Sequence, residues 1–210
     1  MQTATIYSVY MDNIPVEVRT AQRQVVEKFM PTGWRFEQYR SGSYSHPAAM
    51  TICLATNTKP LTIFLDIDCI PLSRTALELL GARAEKGVLV GAAQRANHIN
   101  NGEHLYVGPF CCAFSNRKYL ELGSPSFYET ARGDVGEELT YRWQAAGAPI
   151  YLLWPSLVQQ PLWELTQGIK FGMGTTYEDK FYHEFCARAT AGNFVRKCEE
   201  IIQSEKGKVA

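Results

Sequence analysis

"IFLDIDCIPL", residues 63–72, decides the fold. The continuous apolar run Leu61 to Leu65 is that of a strand covered on both faces, as in the middle of a parallel sheet. It runs straight into Asp66 and Asp68. Alternation along a strand sends these two carboxylates the same way and turns Ile67 back into the core. In an open α/β sheet the carboxyl ends of the strands line the ligand crevice. Two carboxylates there repel one another unless a cation sits between them, so Mg²⁺ or Mn²⁺ is the simplest partner, with coordination positions left for phosphate oxygens. The structural alternative has one Asp capping a turn and the other solvated.

Outward from this strand, the chain alternates. Thr5 to Tyr10 reads as a first strand, and Pro15 opens a helix with apolar residues Val18, Ala21, Val25 and Phe29 at spacings of three and four. Trp34 to Tyr39 alternates like a strand, and Pro47 to Asn57 reads as a short helix. Ser73 is placed to cap a helix running to about Lys86, followed by a buried strand from Val88 to Ala93. Gln94 to Glu103, with Asn97, Asn100, Asn101 and Gly102, is polar and reads as a loop, and Tyr106 to Ser115 returns to strand character. Asp134 to Ala146 reads as a helix ended by Gly147, and Ile150 to Trp154 as a strand. Gly168, Gly172 and Gly174 punctuate a stretch read as loop-rich, and Asn193 to Ser204 closes as an amphipathic helix. The alternation predicts an α/β sandwich around a central, mostly parallel sheet, in one domain.

Composition narrows the function classes. The 210 residues are 46% hydrophobic and 12% aromatic, enough for one sizeable core. Lys+Arg and Asp+Glu both number 21, so net charge gives nucleic acid no support as a partner. No apolar run is long enough to span a bilayer, and Met1-Gln2-Thr3-Ala4 lacks the blocks of a signal peptide. The cysteines at 53, 69, 111, 112, 186 and 198 form no CxxC pair and read as small buried hydrophobes of a reducing, cytoplasmic protein, with Cys111 and Cys112 on opposite faces of a strand. The first strand-helix turn, Tyr10 to Pro15, has neither GxGxxG nor GxxxxGK[ST], so a classical dinucleotide site and a P-loop are unsupported.

Two families end such a strand with Asp-x-Asp. The haloacid-dehalogenase-like phosphatases use the first Asp as nucleophile and continue Gly-Thr, whereas this chain continues Cys69-Ile70 and has a full βα stretch ahead of the motif. The chain more closely resembles the GT-A fold glycosyltransferases, the nucleotide-diphospho-sugar transferases, over roughly residues 3 to 188. That resemblance implies a GT-A-like Rossmann-type sandwich, with a nucleotide-binding half over about 1–93, an acceptor-side half over about 94–190 and the C-terminal helix over about 193–204. It implies that Asp66 and Asp68 hold Mn²⁺ (or Mg²⁺) on the donor diphosphate, with a UDP-sugar as the default donor. Val9, Tyr10 and Asp12 become candidates for the base and ribose, although Tyr10 is equally read as core.

The stretch Tyr106 to Phe114 looks like the family's second-half strand, in which Gly108-Pro109 lets donor sugar and acceptor approach the backbone, or else a Gly-Pro turn before a core strand. "GDVGEELTYRWQAAG", residues 133–147, resembles the helix that brings a catalytic carboxylate. Asp134 is the first choice, with Glu137 and Glu138 behind it. Asp134 and Glu137 also have the spacing of a variant capping box, and Glu138 that of an exposed face. In "KFYHEFCAR", His183 looks like the C-terminal histidine that completes the metal site in many family members, and Arg188 like a partner of the diphosphate. The other histidines have no comparable context, although His98 and His104 lie where a loop could cover the site. The expected activity is hexosyl transfer to an unidentified acceptor (glycan, protein, lipid-linked sugar or modified nucleobase). The alternatives are a Mg²⁺-dependent phosphatase using Asp66 and a degenerate protein that binds nucleotide-sugar or glycan without turnover.

Overall fold

The computed structural model describes residues 2–99 and 103–204. Asn100, Asn101 and Gly102 of the expected loop lie outside the described residues. The strands are β1 (Ala4–Tyr10), β2 (Arg35–Arg40), β3 (Leu61–Leu65), β4 (Cys69–Pro71), β5 (Leu89–Gln94), β6 (Tyr106–Ser115), β7 (Ile150–Leu153), β8 (Pro155–Thr166), β9 (Ile169–Tyr177) and β10 (Phe181–His183). The helices are α1 (Val16–Phe29), α2 (His46–Thr56), α3 (Arg74–Glu85), α4 (Asn116–Glu121), α5 (Glu137–Ala145) and α6 (Ala191–Ser204).

Six strands form the central sheet, in the order β2-β1-β3-β6-β5-β7. The pairs β1–β2, β1–β3 and β5–β7 are parallel and β6 runs against both its neighbours, so five of the six strands point one way. The carboxyl ends of β1, β3 and β5 therefore meet the start of β6 along one edge. Helices cover both faces: α1, α3 and α6 bury Val25, Leu77 and Phe194 in one core, and α2 and α5 bury Met50 and Trp143 in the other. Cys111 and Cys112 face these two cores respectively, as strand alternation requires. Ser73 caps α3 as expected, its hydroxyl accepting from Ala76 N at 3.3 Å.

Two expectations are corrected. The last third is not loop-rich, because β8, β9 and β10 join β4 in a second, antiparallel sheet ordered β4-β10-β9-β8. Gln167 and Gly168, both left-handed, make the two-residue turn of the β8–β9 hairpin, while Gly172 and Gly174 lie inside β9. A Cβ at Gly172 would fall 2.2 Å from Gln160 O across the ladder, so this glycine marks a close backbone approach and not a loop. The helix expected from Asp134 begins at Glu137, because Gly136 stands at φ 76° and breaks the helical path ahead of it.

Candidate metal centre and cleft

Asp66, Ile67 and Asp68 form a turn beyond β3, closed by Cys69 N donating to Asp66 O at 2.8 Å. Ile67 is buried in the core, and both carboxylates face a common cleft. Directly after the turn, β4 pairs antiparallel with β10, setting His183 opposite Cys69. That ladder brings a residue more than a hundred positions away beside the turn. His183 Nε2 lies 3.1 Å from Asp68 Oδ1, and Ala187 N donates to Asp68 Oδ2 at 3.0 Å. The imidazole packs against Phe110, at a centroid distance of 4.3 Å, and Phe185, at 3.7 Å, two rings that also touch each other at 5.2 Å. Phe185 and Cys186 are both left-handed, at φ 51° and 67°, a strained pair that delivers the Ala187 amide to Asp68.

One ligand atom from each of Asp66, Asp68 and His183 lies within 4.8 Å of the others. His183 Nδ1 is buried without a hydrogen bond, and Nε2 faces a carboxylate oxygen. A proton on Nε2 lets the ring donate to Asp68, and moving it to Nδ1 frees Nε2 to share a divalent cation with that carboxylate. Burial opposes the charge on Asp68, but the charge and hydrogen bond of His183 and the Ala187 amide hold its pKa below the usual carboxylate value. The donor set, two carboxylates and one imidazole, fits Mn²⁺ or Mg²⁺.

The cleft runs on in both directions. Val9, Tyr10 and Arg188 line a recess of about 190 Å³ that opens onto Asp66 and Asp68. Val9 is buried, Tyr10 half-buried beneath the Arg19 guanidinium and Arg188 exposed. Asp12 points to Arg40 in a bidentate pair of 2.7 and 3.0 Å and is not among the residues lining this recess. On the other side, a space of about 410 Å³ joins the two aspartates and His183 to Tyr106, Phe110 and Asp134.

Three sequence candidates on the Gly133–Gly147 stretch separate here. Asp134 lines the cleft, with Oδ2 accepting from Tyr106 OH at 3.1 Å. Glu137 is fully buried, accepts from Asp134 N at 2.9 Å and lies 2.6 Å from His104 Nδ1. Half of the capping box thus forms, while Asp134 Oδ1 accepts from Val135 N instead. Glu138 is gripped by Arg132 at 2.7 and 2.6 Å and by Thr130, and the Arg132 hydrogen bond keeps its pKa low against the effect of burial.

Sequence reasoning passed over His46. It opens α2 and stands 3.5 Å from Asp66 Oδ1. Burial works against the charged ring, but the hydrogen bond and charge of Asp66, with Asp68 behind it, raise its pKa. The one available signal was position: the β2–α2 loop ends at the same sheet edge as β3. His98 reaches 3.8 Å from Asp134 Oδ1 at the cleft mouth.

The fold is that of the GT-A glycosyltransferases. A mutant of beta-1,4-galactosyltransferase 7 from Drosophila, in complex with manganese, UDP-Gal and xylobiose, matches 90% of this chain and 74% of its own, with a TM-score of 0.54 and 14% identity. A mannosyltransferase from Pyrobaculum calidifontis, in complex with GDP-Man and Mn²⁺, matches 71% of this chain but only 54% of its own, with a TM-score of 0.49 and 11% identity. No protein-family model and no curated protein sequence matches the chain. Among the described residues no helix is long and apolar enough to cross a membrane.

Proposed function

We propose that this protein is a metal-dependent glycosyltransferase that moves a sugar from a nucleotide-diphospho-sugar, with a UDP-sugar as donor, onto an acceptor hydroxyl. The observation that carries this reading is the meeting of Asp66, Asp68 and His183 at the carboxyl edge of a GT-A sheet. These three residues would hold Mn²⁺ in preference to Mg²⁺, since a nitrogen ligand favours the softer ion. Bound there, the cation supplies the positive charge that a departing nucleoside diphosphate requires.

The chain's own groups do the rest. Val9 and Tyr10 form the wall against which the nucleoside packs, and Arg188 at the rim pairs with a phosphate oxygen. Phe110 and Phe185 exclude water around His183. Asp134, facing the middle of the cleft, takes the acceptor proton, while Glu137 and Glu138 hold the start of α5 in place around it. The phosphatase alternative has less support, because Asp66 lies beside two further metal-ligand side chains in a fold shared with transferases.

A thermal-shift panel of nucleotide sugars with and without Mn²⁺ tests the reading. A donor at about 100 times its dissociation constant adds about 2.7 kcal/mol of stability. A Mn²⁺-dependent shift with UDP-sugars is expected. Phosphate release from a generic ester, with no nucleotide-sugar shift, would instead identify a phosphatase.

A further inference from the structure

Beyond Asp134 the cleft changes character. Trp163 on β8 and Phe171 on β9 are cross-strand partners on one face of the hairpin, with ring centroids 5.4 Å apart. Phe185 completes an aromatic floor, at 5.6 Å from Trp163 and 5.8 Å from Phe171. The pocket above this floor is about 420 Å³, with polar side chains of Gln94, Asn97 and His98 around it and Asp134 at its inner end. Asp134 also lines the central cleft, so the pocket and the metal centre share that carboxylate.

We propose that this pocket takes the acceptor, and that the acceptor is a neutral saccharide lying with its C–H face on Trp163 and one hydroxyl directed at Asp134. The proposal rests on the glycosyl-transfer reading and deepens it. A pyranose is amphipathic in the same way as the pocket, with an apolar face and a polar rim, and aromatic floors with a few placed polar groups recognise such shapes. Charge points the same way. Arg95 is the one lysine or arginine among the described lining residues, and Glu103 stands 3.8 Å from it, so a polyanionic acceptor would find no basic wall and would meet Asp134. The rings stand on the hairpin's face and not along its edge, so the pocket offers no ladder to an extended peptide. In the step itself, the acceptor oxygen bonds to the anomeric carbon as that carbon's bond to the diphosphate oxygen breaks. The bonding pair leaves with the nucleoside diphosphate, and the hydroxyl proton passes to Asp134.

The indole N–H of Trp163, one of four tryptophans, reports binding without turnover. Its NMR signal is assigned from the spectrum of Trp163→Phe. Protein with UDP and Mg²⁺, the diamagnetic stand-in for Mn²⁺ in this measurement, is titrated with methyl glycosides of glucose, galactose, mannose, xylose and N-acetylglucosamine, and in separate arms with a threonine peptide and a deoxydinucleotide. At least one glycoside is expected to move the Trp163 signal. Measured by calorimetry, since the variants lack the reporting indole, Trp163→Ala should weaken that glycoside roughly tenfold, the size of a lost aromatic contact, while Trp163→Phe keeps most of the affinity. Both variants should show the wild-type Mn²⁺-dependent nucleotide shift, which also verifies that they fold. The proposal is overturned if no glycoside moves Trp163, if only the peptide or the dinucleotide does, or if Trp163→Ala binds as wild type does. A glycoside response in a protein that no nucleotide stabilises would leave the saccharide site standing and sink the transfer reading alone.

Discussion

Three carboxylates within five residues have different environments, and only Asp134 opens onto the cleft, as the proposed base must. The Glu138 side chain is committed to Arg132, and that of Glu137 is sealed in the interior against the Asp134 amide and His104. Asp134 keeps 17% of its side chain exposed, and that part faces the cleft. A general base acts in the transition state, so its loss is felt in turnover and not in ground-state donor affinity. Asp134→Asn should therefore lower kcat by about 100-fold or more while the donor dissociation constant, measured calorimetrically, stays at the wild-type value. A variant that loses about 1 kcal/mol of stability with kcat intact would show that Asp134 serves only the turn before α5.

At the scale of elements, α5 is held to the cleft by a histidine. His104 stacks on Tyr141 with centroids 4.1 Å apart and bridges Glu137 and Gln144 at 2.6 and 3.0 Å. Burial opposes its charge, but the hydrogen bonds to Glu137 and Gln144 and the charge of Glu137 raise its pKa above the usual histidine value. A group with a raised folded pKa gives stability that is complete below the unfolded value, about 6.5, and fades as pH climbs through the folded value. Urea unfolding of the metal-free protein should thus lose stability as pH rises above about 6.5, and His104→Phe, which keeps the stack, should flatten that part of the profile. An unchanged slope would mean that the ring stays neutral throughout.

These contacts also show what the sequence could carry. The buried runs Leu61 to Leu65 and Tyr106 to Ser115, and the spacing of Val18, Ala21, Val25 and Phe29, report burial directly, and the elements they predict are present. The β8–β9 hairpin escaped because most of β8 is exposed, so no alternation marks it, and glycines inside β9 imitate loop punctuation. His46 escaped because its proximity to Asp66 depends on which loops share a sheet edge, a property of strand order and not of any local pattern.

At the scale of the whole molecule, the chain leaves the central sheet through the Asp-x-Asp turn and enters the second sheet one residue later, at β4. The three proposed metal-ligand side chains therefore sit at the seam between the sheets. Asp68 fastens that seam: its carbonyl accepts from Glu184 N at 3.0 Å, and its carboxylate holds Ala187 N past the strained Phe185–Cys186 pair. A cation on Asp66, Asp68 and His183 would tie the end of β3 to β10, and stability gained by binding appears most where local opening breaks the site. Mn²⁺ with UDP should slow amide exchange at Glu184 and Ala187 more than at Thr62 and Phe114, which pair at the opposite end of β3 from the turn. Asp68→Asn keeps an oxygen for Ala187 but loses the charge that His183 favours, so it should fold with a modest loss of stability at neutral pH and lose most of the Mn²⁺-induced protection. Asp68→Ala strands the buried Ala187 amide and should cost about 1–3 kcal/mol in addition. Exchange at these two amides that ignores Mn²⁺, in a protein that still binds a nucleotide sugar, would place the cation elsewhere in the cleft.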